Sequence, residues 1–128
     1  MRILIQTACY CILDGVSETI RKIEVHVLST SPNSEVCILT TKSGDLNNAG
    51  VVFESMAWSM DPSLVEGARR RRRIIYVNAL KLPIMEMYEY RIGLRLCGRD
   101  LELIQGFRPD VIHTTVPGEG NWAGGPRL

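Results

Sequence analysis

The 128-residue sequence lacks a long apolar run, a Cys-x-x-Cys pair and any strong excess of charge. No apolar stretch approaches the roughly 20 residues that span a bilayer, so no transmembrane helix is predicted. The only histidines, His26 and His113, lie far along the chain from Cys9 and Cys11. A structural zinc site needs four convergent ligands and is therefore not favoured. We expect no metal, no cofactor, and cysteines that stay reduced in the cytoplasm.

The sequence also lacks the motifs that identify common nucleotide-binding and hydrolytic sites. Neither G-x-G-x-x-G nor G-x-x-x-x-G-K-[ST] occurs. Ser17 and His113 have no obvious third partner for a catalytic triad. No pair of carboxylates can be assigned to one site for glycoside hydrolysis. None of these four site types is predicted.

Charge is nearly balanced except at one place. The chain has 15 Lys and Arg against 14 Asp and Glu, but five of the basic residues are consecutive: Arg69, Arg70, Arg71, Arg72 and Arg73. Without this run the balance is acidic, so no nucleic-acid partner is expected. The run precedes a predicted strand, which favours an exposed loop. It could be ordinary solvated surface, a contact with anionic lipid head groups or a nuclear localisation patch.

What the sequence does contain is the composition of one globular domain. Hydrophobic residues make up 45% and charged residues 23%, values that exclude disorder and coiled coil. The length fits a single domain. The N-terminal apolar residues could pass for a short signal peptide, but Gln6, Thr7 and Tyr10 interrupt them, and a first β-strand explains them better.

Four apolar segments are typical of strands buried on both faces. They are residues 2–8, 35–41, 74–77 and 110–114. Residues 51–53 are predicted to form a short edge strand in an otherwise loop-like region. Cys37 and Cys97 lie among apolar residues and are expected to behave as small buried hydrophobes.

Two amphipathic helices are predicted between these strands. The first begins at about Val16, with Asp14 as its N-cap and Glu18 in its first turn, and ends before Pro32. Its predicted apolar face is Val16, Ile20, Ile23 and Val27. The second begins at about residue 94 and ends before Phe107, with an apolar face of Leu94, Cys97, Leu101 and Ile104.

This order of elements predicts an α/β fold, a Rossmann-like parallel sheet with helices on both faces. Ligands of such sheets bind at the carboxyl ends of the strands, which points to residues 9–17 and 114–120. Gly15 either relieves a tight turn or lets a phosphate approach the amides of a helix N-terminus. His113 is either a histidine bonded to backbone or a polar group for a sugar hydroxyl or phosphate.

Three segments resemble family 4 glycosyltransferases, in the order that this family has them. RILI at residues 2–5 followed by DGVSETI at 14–20 resembles the family's opening strand and helix start. LP at 82–83 with YEYRIGL at 88–94 is similar to a segment of sulfoquinovosyltransferase-like and mannosyltransferase-like members. FRPDVIH at 107–113, with PG at 117–118, is similar to a later strand and its loop.

The resemblance implies the N-terminal, acceptor-side half of a GT-B fold, in which two Rossmann-like domains face a cleft without a required metal. It implies transfer, with retention, from a nucleotide-diphosphate sugar to a lipid or glycan acceptor. Gly15 and Val16 would then bind substrate near the donor diphosphate. His113, the candidate catalytic residue, would line the floor of the cleft with the substrate-binding residues Thr115 and Gly118. Many relatives have a second histidine at the position of Thr115. The hydroxyl of Thr115 can still form a hydrogen bond with a sugar.

The resemblance covers residues 1–118, and residues 119–128 are expected to be an irregular Gly-rich tail. The expectation is a truncated glycosyltransferase domain that is inactive alone, because the nucleotide-sugar binds to a missing C-terminal domain. The alternative is a non-catalytic binding module that keeps the acceptor-side fold. The expected location is the cytoplasm, with peripheral contact to an anionic membrane surface as an option.

Overall fold

The computed structural model describes residues 1–7, 10, 15–41, 48–77, 79–81, 91–93 and 98–114. Its helices are α1 (Gly15–Thr30), α2 (Asn48–Ala57), α3 (Pro62–Arg70) and α4 (Gly98–Phe107). Its strands are β1 (Arg2–Gln6), β2 (Glu35–Thr41), β3 (Arg72–Val77), β4 (Ala79–Lys81), β5 (Arg91–Gly93) and β6 (Val111–Thr114).

Four of the strands form one parallel sheet in the order β3-β2-β1-β6. The short strands β4 and β5 form a separate antiparallel pair. The predicted α/β class and parallel sheet are confirmed, and so is the pairing of the first and fourth predicted strands, β1 and β6. The chain builds the sheet outward from β1 to β3 and then returns to the other side of β1, as in a Rossmann-like fold.

Each face of the sheet buries its own apolar cluster, as expected for strands with two covered faces. Helices α1, α2 and α3 pack on one face, and α4 packs on the other. The first cluster contains Ile5, Tyr10, Ile20, Leu28, Val36, Ile38, Val52, Phe53, Met56, Met60 and Ala68. The second contains Leu4, Cys37, Leu39, Ile75, Ile104 and Phe107.

The buried face of α1 differs from the predicted one. Its fully buried residues are Ser17, Ile20, Glu24 and Leu28, spaced by three or four positions as one helical face requires. Val16, placed on the apolar face by the sequence, is exposed. The predicted face was therefore rotated by about one residue, because the true face includes two polar side chains. Asp14, the predicted N-cap, lies outside the described residues.

The predicted edge strand at residues 51–53 is wrong, because these residues lie within α2. Val52, Phe53 and Met56 are buried at helical spacing, and a run of three apolar residues is too short to distinguish a strand from a helix. Asp61 then caps α3, accepting a hydrogen bond from the Ser63 backbone N–H at 3.0 Å.

The second predicted helix is confirmed as α4, which begins at Gly98, about four residues after the predicted start, and extends one residue past the predicted end. Ile104 of its predicted apolar face is buried and Leu101 is half-buried, whereas Leu94 and Cys97 lie outside the described residues. The helix ends at Phe107, and the next residue, Arg108, has a φ of 54° in the left-handed region. The Arg108 N–H donates to the Ile104 and Gln105 carbonyls at 3.2 Å each, which closes the helix end.

Candidate functional site

The carboxyl ends of β1 and β6 lie side by side at the point where the strand order reverses. In this register Ile5 pairs with His113, and Gln6 pairs with Thr114. Ligands of open parallel sheets bind outside the carboxyl ends of the strands at such a reversal. The predicted candidates Gly15 and His113 both belong to elements that meet this edge, and their individual roles stay predictions.

Polar side chains are buried where β1 and β2 reach this edge. Gln6, Thr7 and Thr40 are each at most 3% exposed. The Thr7 backbone N–H donates to the Leu39 carbonyl at 3.0 Å, which extends the β1–β2 pairing by one residue. The Thr40 hydroxyl has no hydrogen-bond partner within the described part of the chain. Buried polar groups normally have partners, so this end of the sheet is chemically distinct from the apolar core.

Gly15 is the first residue of α1 and is exposed. A Cβ atom built on it would meet no described atom within 4 Å, so none of the described residues requires a glycine there. The first N–H groups of a helix have no acceptor within the helix itself, and a helix N-terminus can therefore bind an anion. Glu18 lies in the same turn and pairs with Arg21.

His113 is exposed and lies one residue before the end of β6. Its pairing with Ile5 places both residues on the sheet face that α1 covers. Its neighbours Val111 and Ile112 are also exposed, at 45% and 41%. The predicted site residues Thr115 and Gly118, and the cysteines Cys9 and Cys11, lie outside the described residues.

Asp110, three residues before His113, lies directly before the opposite end of the same strand. Its carboxylate accepts a hydrogen bond from the Arg2 backbone N–H at 2.8 Å, and its own N–H donates to the Arg2 carbonyl at 2.8 Å. These contacts join β6 to the start of β1 across 108 positions of sequence. Asp110 is therefore a structural residue of the sheet.

A buried polar cluster of Tyr10, Glu24 and Arg72 lies between α1 and the sheet. The Tyr10 hydroxyl donates to a Glu24 carboxylate oxygen at 2.5 Å and accepts a hydrogen bond from the Arg72 guanidinium. Arg72 Nε is 2.9 Å from the other Glu24 oxygen. The Glu24 side chain is fully buried. The cluster ties the segment after β1 to the middle of α1 and the start of β3.

Burial dominates the electrostatics of this cluster. It raises the pKa of Tyr10 well above its usual range, assisted by the charge of Glu24. Burial also raises the pKa of Glu24, with Arg72 opposing the shift. Burial alone would lower the pKa of Arg72, but Glu24 and Tyr10 raise it above its usual value. Tyr10 is therefore a neutral hydrogen-bonding group, unable to act as a base near neutral pH.

The arginine run does not form the predicted exposed loop. Arg69 and Arg70 end α3, Arg71 is the turn after it, and β3 begins with the next residue. Arg69 pairs with Glu54 at 2.6 Å, and Arg70 lies 3.6 Å from Glu66, both at the exposed surface. Arg71 instead donates to three carbonyls at the end of α1, those of Leu28, Ser31 and Ser34.

The last two arginines of the run lie on opposite faces of the sheet. Arg72 joins the buried cluster and lies over the Phe53 ring, 5.1 Å from its centroid. Arg73 lies over Phe107 on the face that α4 covers, 5.4 Å from that centroid. Contact with an anionic surface stays a prediction for the run. The surface that could make it comes mainly from Arg69 and Arg70.

The described residues set limits on other kinds of site. Within them, no three His, Cys, Asp or Glu side chains come together as a metal ion would require. None of the helices in those ranges combines the length and apolar character needed to cross a membrane. Cys37 is buried and free, as predicted, and burial raises the pKa of its thiol to about 12.

Comparison with protein-family models, with curated proteins and with solved structures found no match. The α/β class therefore rests on the sheet order and on the helices that cover both faces. The sequence analysis did not predict the buried cluster of Tyr10, Glu24 and Arg72. The one available signal was an acidic residue four positions after Ile20, on the buried face of α1.

Proposed function

We propose that this chain is the acceptor-side domain of a retaining glycosyltransferase of the GT-B type. The observation that carries the proposal is the parallel order β3-β2-β1-β6, which brings the family-like segments of β1 and β6 to one edge. The buried polar side chains at that edge support a ligand site there. The sequence segments that resemble family 4 provide the reaction class.

In this proposal the first turn of α1 faces the donor diphosphate. The amides that follow Gly15 provide hydrogen-bond donors at the positive end of the helix dipole. His113, exposed near the carboxyl end of β6, binds a hydroxyl of the transferred sugar or of the acceptor. The acceptor is a lipid or a glycan, and its hydroxyl oxygen bonds to the anomeric carbon as the bond from that carbon to the nucleoside diphosphate breaks. The hydroxyl proton passes to the departing phosphate oxygen.

Transfer needs both walls of the cleft. Most interactions that strengthen in the transition state belong to the domain that holds the leaving diphosphate. The 128-residue chain on its own is therefore expected to show no transfer from any common nucleotide-sugar. Joined to a GT-B donor-binding domain, it is expected to support transfer.

The test compares the joined protein with its Gly15→Val and His113→Ala variants. Open space beside Gly15 and the exposure of His113 predict nearly unchanged melting temperatures for both. Gly15→Val should abolish transfer by crowding the phosphate, and His113→Ala should lower it. Turnover by the chain alone would mean that the donor site is misplaced. Full activity of both variants would contradict the proposed site, and acceptor binding without transfer would favour the non-catalytic module.

A further inference from the structure

A groove of about 580 Å³ runs between α1 and α2. The described residues that line it belong to these two helices and to the turn that follows α2. Its volume lies within the roughly 300–1,000 Å³ of small-molecule sites. Nothing in the proposed glycosyltransfer uses this groove.

The two walls of the groove differ in chemistry. The α1 wall carries Arg21, Lys22 and His26, whereas the α2 wall presents Val51 and Ser55. Apolar surface also comes from Val25, Val52 and Met56. The groove therefore combines a cationic side with an apolar path along its length.

The basic side chains of the groove differ in their pairing. Glu18 is the one acidic residue among its described lining residues, and it pairs with Arg21. Lys22 and His26 are four positions apart on one side of α1, and both are exposed without a partner among the described residues. An ammonium and an imidazole at this spacing complement one carboxylate.

The length of the groove matches one acyl chain. Its lining on α1 runs from Glu18 to Ser29. These twelve residues are separated by eleven rises of about 1.5 Å and therefore span about 16 Å. One acyl chain covers about half of the roughly 30 Å hydrocarbon core of a bilayer, which is a similar length.

A thin ligand fits the groove better than a partner helix does. Val52 and Met56 are only 7% and 4% exposed, so the apolar floor is recessed between the walls. A helix docking in a groove needs apolar anchor positions on the surface that it meets. The α1 wall instead presents Arg21, Lys22 and His26.

We propose that the groove between α1 and α2 binds a single-chain fatty-acid carboxylate. The carboxylate lies at Lys22 and His26, and the chain follows Val25, Val52 and Met56. This site is separate from the carboxyl edge of the sheet, and it stands whether or not the glycosyltransferase proposal holds.

The test is a calorimetric and NMR titration of the 128-residue protein with dodecanoate below its micelle concentration. The expected result is one saturable site, with amide shifts in α1 and α2. Dodecanol and butanoate each lack one recognition element and are expected to bind at least several-fold more weakly. Equal binding of dodecanol, shifts outside the two helices, or no binding of dodecanoate would overturn the proposal. The proposal would also be overturned if an acidic amphipathic peptide shifted the amides of α1 and α2 and dodecanoate did not.

Two variants, each with a matched control, test the carboxylate contact and the path of the acyl chain. Lys22→Gln should weaken dodecanoate binding by up to roughly fivefold, the effect of one solvent-accessible ion pair. Arg70→Gln removes an equal charge outside the groove and should leave binding unchanged. Ser55→Trp fills the groove and should abolish binding, whereas Glu102→Trp, on exposed α4 surface, should not.

Folding of the groove-filling variant is checked by its amide spectrum. If Ser55→Trp does not fold, Val51→Trp replaces it, because Val51 is 63% exposed and its replacement disturbs no core contact. Wild-type affinity in a folded groove-filling variant would overturn the proposal, as would equal weakening by the Lys22 and Arg70 substitutions.

Discussion

Replacing Glu24 by Leu should destabilise the domain by about 3–5 kcal/mol, because the substitution leaves the Arg72 charge buried without its partner. The Arg72 side chain is 9% exposed and Glu24 is fully buried. At the observed 2.9 Å, an effective dielectric constant of about 20 gives a gross attraction of about 6 kcal/mol. Desolvation of two ions costs several kcal/mol each, so the pair gains little net stability although each member depends strongly on the other.

The assay is urea unfolding of Glu24→Leu, Arg72→Met and the double variant. Each single variant should lose about 3–5 kcal/mol. The double variant should lose much less than the sum, because no uncompensated charge remains. Arg70→Met is the matched control, since its exposed pair with Glu66 should contribute at most about 0.5 kcal/mol. Additive losses, or single losses no larger than the control's, would refute the reasoning.

The Arg72→Met variant should also acquire a characteristic pH dependence. Burial already raises the pKa of Glu24 above its unfolded value, and removal of the cation removes the main opposing effect. A carboxyl group with a raised folded pKa contributes its full stability below the unfolded pKa and loses it as pH rises through the folded pKa. Raising the pH from about 5 to 8 should therefore destabilise this variant more than the wild type. A parallel pH profile for the two proteins would count against a buried Glu24.

Two further substitutions and one alkylation experiment test other parts of the fold. Arg108→Gly should raise the unfolding free energy by up to about 1 kcal/mol, because glycine adopts a positive φ without steric cost, and a lower value in urea unfolding would contradict this. Arg71→Ala should cost about 1–3 kcal/mol by removing the donors to the end of α1, and a melting temperature equal to the wild type's would contradict it. Cys37 should resist alkylation at pH 8 until the protein unfolds, because the side chain is buried and burial raises the pKa of its thiol to about 12. Mass spectrometry follows the labelling, and labelling at the rate of a free thiol would contradict the burial of Cys37.

The strands of the sheet could be predicted because burial on both faces leaves a continuous apolar signal. Residues 35–41 match β2 at both ends, and β1 and β6 differ from their predictions by one or two residues. The start of β3 could not be predicted in this way. Arg72 and Arg73 resemble solvated surface in sequence, but their guanidinium groups lie over aromatic rings on the two faces of the sheet.

The location of the candidate site could be predicted, whereas the buried cluster of Tyr10, Glu24 and Arg72 could not. The edge follows from strand order, which the alternation of strands and helices already implies. Tyr10, Glu24 and Arg72 converge only after β1, α1 and β3 have packed together, and no local pattern relates them. A buried acid also disguises the helical period, which is why the apolar face of α1 was predicted one position away.

Titration of the isotope-labelled chain, joined to a GT-B donor-binding domain, with UDP-glucose and GDP-mannose tests the central claim most directly. The proposed site predicts that the amides of Gly15 and Val16 shift together with those of His113 and Thr114, along a single saturation curve. It also predicts that Gly15→Val weakens this response without changing the rest of the spectrum. Shifts confined to other surfaces, a response of only one of the two segments, or no response at saturating nucleotide-sugar would contradict the account.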